Sequence, residues 1–275
     1  MVRTMRVGDL DIHFDLADYT EPWREDVPET FLLSHGFARN MKFWQSWVPL
    51  LCRHYRVLTF DARGCGKTTI PPAGSAYSFE QLAGDAIGLM DQLGIERVHW
   101  VGESSGGIVA MTAALNHAER LHSLVLCDTP VKRSTQIATT YTLGEINRAA
   151  AFDKYGIGEW CRKTLPYRID MSKASPALCE WYIEQMDKTP VHVANSMDQI
   201  IAAVDLSSRL SEINVPTLVL GGERSAIASD AQKAVMRERM PHAKLVIFEG
   251  YGHGVNLIAP ERCVDEIKTF ITSQI

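Results

Sequence analysis

The sequence predicts an α/β protein with a mostly parallel sheet, and three observations carry that prediction. Apolar runs of strand length alternate with stretches of helical periodicity, which implies parallel strands covered by helices on both faces. One run, Val98 to Val101, passes through Gly102-Glu103-Ser104-Ser105-Gly106 straight into the helical stretch Ile108 to Leu115, a sharp strand–turn–helix junction. Finally, 275 residues with 46% hydrophobic and 22% charged side chains suit one large globular domain, or one domain with an insertion.

In order along the chain, residues 1–19 alternate weakly around Met5, Val7, Leu10, Ile12 and Phe14, the pattern of a hairpin on a sheet edge. Thr20 to Glu29, with Pro22, Pro28 and four acidic residues, is a solvated connection. Phe31 to Ser34 is a short buried strand running into His35-Gly36-Phe37. Trp44 to Cys52 has helical spacing, and Tyr55 to Phe60 reads as a strand before Asp61-Ala62-Arg63-Gly64-Cys65-Gly66-Lys67-Thr68. That turn lacks the first glycine of a Walker phosphate loop at the required spacing, so Asp61 and Arg63 are expected to stabilise the loop rather than bind phosphate. Ser78 can cap a helix over Phe79 to Leu93 that stops at Gly94. Leu121 to Cys127 is an apolar strand ending in Asp128-Thr129-Pro130.

From about 131 to 207 the rhythm breaks. Helical pieces follow one another without strands and hold Tyr141, Tyr155, Trp160, Tyr167, Trp181 and Tyr182, as their own core or as a pocket wall. Strands resume at Val215 to Gly222 and at Ala243 to Glu249, the latter followed by Gly250-Tyr251-Gly252-His253-Gly254 and a final helix from Pro260 to Thr272.

Several function classes are excluded by composition. A net charge of −5 gives no electrostatic footprint for nucleic acid or an anionic membrane. The N-terminal residues show no signal peptide, and no apolar run approaches the roughly 20 residues of a membrane span. Six cysteines are scattered without a Cys-x-x-Cys pair or histidine clustering, which argues against zinc and disulfides and fits a reducing cytoplasm. Each is expected as a small buried hydrophobe, with Cys65 in its glycine-rich loop partly exposed.

The chemistry centres on Ser104. It has glycine at both the −2 and +2 positions, whereas centring on Ser105 would place Glu103 where close packing needs glycine. Ser104 also precedes a helix N-terminus, whose free N–H groups can face a developing negative charge. Here the chain resembles the α/β-hydrolase superfamily, and the resemblance implies that fold: a mostly parallel sheet covered by helices, with a helical cap inserted after the sixth strand. It divides the chain into a core of residues 1–130 and 208–275 and a cap of 131–207.

The resemblance also implies roles. Strand–His35-Gly36-Phe37 is similar to the superfamily's oxyanion loop, so the N–H groups of Phe37 and Ser105 would hold the oxyanion, each worth about 3 kcal/mol. Asp61 to Gly66 is similar to the segment after the fourth strand. His253 occupies the place of the catalytic histidine. After the seventh strand, however, the chain reads Gly222-Glu223-Arg224-Ser225, with serine where the family carries aspartate. A hydroxyl cannot balance an imidazolium charge, so the acid is assigned to the family's alternative position at the end of the sixth strand, Asp128, with Glu223 and Asp230 in reserve.

The expected activity is that of a serine hydrolase cleaving a small-molecule carboxylic ester, lactone or amide through an acyl-enzyme, without metal or organic cofactor. His35, Arg148, Tyr167, Arg168 and Trp181 are candidate substrate contacts, and cap arginines 148, 162 and 168 can clamp a substrate carboxylate. The expected partner is a small molecule, with no nucleic acid or membrane, the chain acting alone or as a homodimer. Three alternatives stay open: a C–C bond hydrolase acting beside a carbonyl, a cofactor-independent dioxygenase of the same fold, and a ligand receptor retaining the triad.

Overall fold

In this computed structural model, which describes residues 2–273, the chain runs β1 (Arg3–Val7), β2 (Leu10–Ala17), β3 (Thr30–Ser34), α1 (Val48–Leu51), β4 (Arg56–Phe60), α2 (Phe79–Gln92), β5 (Val98–Glu103) and α3 (Ser105–Asn116). It continues with β6 (Leu121–Cys127), α4 (Thr135–Thr140), α5 (Arg148–Thr164), α6 (Pro176–Asp187), α7 (Val191–Ala203), β7 (Thr217–Gly222), α8 (Asp230–Arg239), β8 (Lys244–Phe248), α9 (Val255–Ile258) and α10 (Pro260–Thr272). The eight strands form one sheet in the order β1-β2-β4-β3-β5-β6-β7-β8. The β1–β2 hairpin is antiparallel and joins β4 antiparallel; every other pairing is parallel. Register places Ser34 beside Gly102 and Glu103 beside Cys127, so β3, β5 and β6 end level with one another.

Every residue of β3 and β5 is buried, because helices cover both faces, and this is why those strands read as continuous apolar runs. On one face α2 and α3 pack over Leu32, Trp100 and Leu124; on the other, α10 lays Val264, Ile267 and Ile271 against Val101, Leu218 and Phe248. The Ser78 hydroxyl caps α2 by accepting from the Gln81 N–H.

The stretch Trp44–Cys52 is not one helix. A 3₁₀ turn over Met41–Trp44 is followed by the single turn α1, because Pro49 has no N–H to continue a helical ladder across the junction. Cys65 is fully buried against Met197, not partly exposed, and all six cysteines are buried and unpaired. Asp61 accepts from the Met41 and Lys67 N–H groups and faces His13, while Arg63 pairs with Asp85 and Asp9, so both hold the loop. No helix among the described residues is long and apolar enough to cross a membrane.

Between β6 and β7 the chain forms α4, α5, α6 and α7. These share a core of Phe152, Trp160, Tyr182 and Met186 that closes over Phe37 and Phe43. Helix α5 kinks at Gly156, where φ is +70°. The two ends of the segment meet: Leu206 N–H donates to Val131 O, Lys132 pairs with Asp205, and Gln232 hydrogen-bonds the backbone of Val131 and Lys132.

The β5–α3 junction is the tightest contact between strand and helix. A Cβ at position 102 would lie 2.5 Å from Gly107 Cα, and one at 106 would lie 2.5 Å from the His35 carbonyl oxygen. Neither obstacle is a side chain that can swing away. Gly102→Ala is therefore expected to cost about 3 kcal/mol, the upper end of the usual overpacking range. Urea denaturation measures it, and a loss below about 1 kcal/mol would show that the junction yields.

Candidate active site

Three of the four non-glycine residues with positive φ among the described residues sit where strands reach the same sheet edge: Ala38 at +53°, Ser104 at +52° and Asp128 at +46°. Such conformations are costly for non-glycine residues and persist only where the surroundings enforce them. At Ser104 the enforcement is visible. Its N–H donates to Cys127 O at 2.9 Å, its carbonyl accepts from Gly107 N–H at 3.0 Å, and the glycine packing fixes the turn between. The Ser105 amide, at the first turn of α3, and the Phe37 amide donate no hydrogen bond among the described residues.

His253 lies in the loop between β8 and α9 and is almost wholly buried. Its Nδ1 is 3.0 Å from Ser225 Oγ and 4.0 Å from Asp128 Oδ1. Asp128 is held by backbone donors: Gly222 N–H on Oδ1 at 3.0 Å, Gly254 and Val255 N–H on Oδ2 at 2.8 and 3.0 Å. The structure brings Asp128, and neither reserve acid, to the histidine. Glu223 accepts from Gly250 N–H at an exposed position, and the 89% exposed Asp230 side chain pairs with Lys233. Ser225, set aside in the sequence because it carries no charge, is the group in hydrogen-bond contact with Nδ1.

Sequence reasoning missed Glu103. Its Oε1 lies 3.4 Å from His253 Nε2, and neither atom has a hydrogen-bond partner. Its other oxygen pairs with Arg39, whose guanidinium also reaches the Tyr182 hydroxyl and lies over the Phe43 ring. Burial would push the Glu103 carboxyl up, but the Arg39 and His253 charges outweigh it and hold the carboxyl below its ordinary value. A carboxylate closing an otherwise uncharged buried strand was the available signal.

Beside Ser104 lies a narrow cavity whose lining includes Phe37, Ser105, Ile108, Ile137, Tyr141, Arg148, Arg168 and Ile227. Among the expected substrate contacts, Arg148 and Arg168 reach it; the rest do not. His35 spends both ring nitrogens on Gly36 O and the Ala62 N–H, and burial depresses its pKa, so it ties its loop as a neutral ring. Trp181 packs outside on Phe43, because α6 turns it away from the sheet. Tyr167 borders a separate groove with Asp170, Arg224 and His253. Arg162, on the outer face of α5, pairs with Glu180. No group of three or more His, Cys, Asp or Glu side chains among the described residues converges as metal ligands.

A parallel sheet with a strained serine at the end of its central strand, a buried histidine and a helical insertion defines the α/β-hydrolase class. The comparisons agree. A family model described as alpha/beta hydrolase fold matches residues 29–159, and one described as TAP-like protein matches residues 185–273. The RutD protein of Pseudomonas syringae, provisionally named a carbamate hydrolase, is 28% identical over 90% of this chain and 95% of its own. The 3-oxoadipate enol-lactonase 1 of Acinetobacter baylyi is 23% identical over 90% of each. The crystal structure of the enol-lactonase from Burkholderia xenovorans superposes with a TM-score of 0.86 at 25% identity, covering 98% of this chain and 99% of that one. The chain belongs to the α/β-hydrolase family, and it is a hydrolase.

Glu103→Gln removes the countercharge of a buried guanidinium and is expected to cost about 3 kcal/mol at neutral pH. Because the folded-state pKa of Glu103 is depressed, its contribution is complete above the ordinary value of 4.5 and is lost as pH falls through the folded value. The stability gap between wild type and variant should therefore close on acidification. A gap that stays constant from pH 7 to about 3 would show that the carboxylate is not what the variant lost.

Proposed function

We propose that the protein hydrolyses a small-molecule carboxylic ester, lactone or amide through an acyl-enzyme on Ser104. The observation that carries this reading is Ser104 itself, held at positive φ on the cavity wall between the unspent amides of Phe37 and Ser105. His253 Nε2 takes the Ser104 proton as Oγ attacks the substrate carbonyl carbon. The Phe37 and Ser105 N–H groups hold the oxyanion. Collapse expels the leaving group with that proton, and His253 then activates a water that attacks the acyl carbonyl and restores the serine.

The starting geometry requires one adjustment. Nε2 stands unpartnered beside Glu103, so a turn of the imidazole toward Ser104 precedes attack, and the same motion can close the 4.0 Å gap between Nδ1 and Asp128. Asp128 supplies charge balance and Ser225 orients the ring. Residues 131–207 act as a lid that walls the cavity from water. The names of the relatives support this range of bonds: an enol-lactonase cleaves a lactone, and a carbamate hydrolase a carbonyl–nitrogen or carbonyl–oxygen bond.

A fluorophosphonate probe should add one label per chain, read as intact mass, and Ser104→Ala should abolish it. Folded wild type that stays unlabelled would remove the acyl-enzyme reading. Asp128→Asn is expected to lower kcat by about 10⁴-fold, and Ser225→Ala by no more than about tenfold. The reverse order would transfer the decisive role at Nδ1 to the hydroxyl.

A further inference from the structure

We propose that the cavity beside Ser104 is built for a substrate carrying a free carboxylate remote from its scissile bond, bound by the guanidinium of Arg168 with Arg148 beside it. The proposal rests on Ser104 being the nucleophile of that cavity.

Arg168 is the most unusual charge among the described residues. It is only 4% exposed. A guanidinium stays ionised in a protein, and burying one without a partner is strongly unfavourable. Yet no carboxylate lies within ion-pair distance of it among the described residues. Its Nε donates to Thr164 Oγ1 at 2.9 Å, its Nη1 has only Met186 Sδ at 4.0 Å, and its Nη2 is buried with no partner. What the protein supplies instead is aromatic surface: the guanidinium lies 4.0 Å from the Trp160 ring centre, 4.6 Å from Tyr141 and 5.9 Å from Phe37. Ring faces stabilise the flat faces of the cation and leave its N–H edge free. Phe37 is also the residue whose amide would hold the oxyanion, and Phe37, Ser104 and Arg168 line the same cavity.

The surroundings of Arg168 have the same imbalance. Four cations, Lys132, Arg133, Arg148 and Arg168, line the cavity, and no aspartate or glutamate does. Lys132 is paired with Asp205, and Arg133 and Arg148 share the single carboxylate of Asp198. Arg148 Nε is likewise buried without a partner. Burial and the neighbouring Arg168 charge push the Arg148 pKa down to about 10, against the pull of Asp198. One anion between the two arginines would satisfy both free donors and cancel their repulsion. A carboxylate fits a planar fork with paired, parallel hydrogen bonds. The isoleucines 108, 137, 201 and 227 would enclose the carbon skeleton joining it to the cleaved bond.

The test compares matched substrates in wild type, with Ser104 labelling by fluorophosphonate as the control. One pair, 4-nitrophenyl hydrogen glutarate and 4-nitrophenyl pentanoate, carries the charge on the acyl side. The other, 3-acetoxybenzoate and phenyl acetate, carries it on the leaving group. In at least one pair the anion should be preferred in kcat/KM by roughly tenfold or more, a preference that weakens with added salt. In Arg168→Met the ratio should fall to about one, and Arg168→Lys should restore part of it. Labelled wild type that treats both pairs equally would overturn the carboxylate proposal alone; unlabelled wild type would overturn the nucleophile reading beneath it. Should Arg168→Met fail to fold, inhibition of wild type decides: glutarate should compete with substrate, and 1,5-pentanediol, an uncharged chain of the same length with no bond to hydrolyse, should not. Equal inhibition by the two, or none by either, would overturn the proposal.

Discussion

The contact on which the site depends is backbone against backbone. Helix α3 leaves β5 so steeply that Gly106 rests on the carbonyls of Ser34 and His35, and Gly102 on the following turn of the helix. No side chain fits there, and the residue between the two glycines is driven to positive φ. The same interlock sets the height of the His35-Gly36-Phe37 loop, because the carbonyls that Gly106 touches belong to the chain entering Gly36 and Phe37. Through the Ser104 N–H bond to Cys127 it also fixes the end of β6, one residue before Asp128. One steric constraint thereby positions Ser104, the free amides of Phe37 and Ser105, and Asp128, drawn from the ends of three strands.

Around this frame three of the buried charges are each met in a different way. Asp128 is solvated by backbone, with N–H groups from Gly222, Gly254 and Val255 in place of water. Such dipoles cost nothing in side-chain entropy and cannot move away. Glu103 is neutralised by an equally buried Arg39, a pair that reaches through Tyr182 into the helices above the sheet. Arg168 receives only aromatic faces and a hydroxyl. Two of the three are satisfied within the fold, and the third keeps a buried N–H group without a partner.

What was legible in the sequence was what is local in the chain. Gly-x-Ser-x-Gly, His-Gly-Phe and Gly-His-Gly are short contiguous motifs, so Ser104 could be singled out by its flanking glycines, and Phe37 and His253 by the resemblance those motifs carry. The fold followed from alternating periodicity, and Asp128 from the resemblance, because Ser225 stands where the family's acid is expected after β7. Contacts between distant elements were not legible. Glu103 meets His253 across 150 residues of sequence, and whether Ser225 Oγ or an Asp128 oxygen stands nearer Nδ1 depends on angstrom-scale loop placement. In the helical segment the composition shows arginines and aromatics, but side-chain direction is set by how helices pack. Arg148 and Arg168 line the cavity, whereas Arg162 pairs with Glu180 and Trp181 packs on Phe43.

The clasp at the foot of that helical segment has an evolutionary consequence. Val131 and Leu206 are joined by a backbone hydrogen bond, so the helical segment begins and ends at nearly one point. Closing a loop between fixed, adjacent ends costs an entropy that grows only with the logarithm of its length. A longer, shorter or differently folded stretch spliced between those residues would leave the sheet and its strained serine undisturbed. The helices that wall the cavity can therefore be exchanged as a unit, while the sheet and its serine turn keep their geometry.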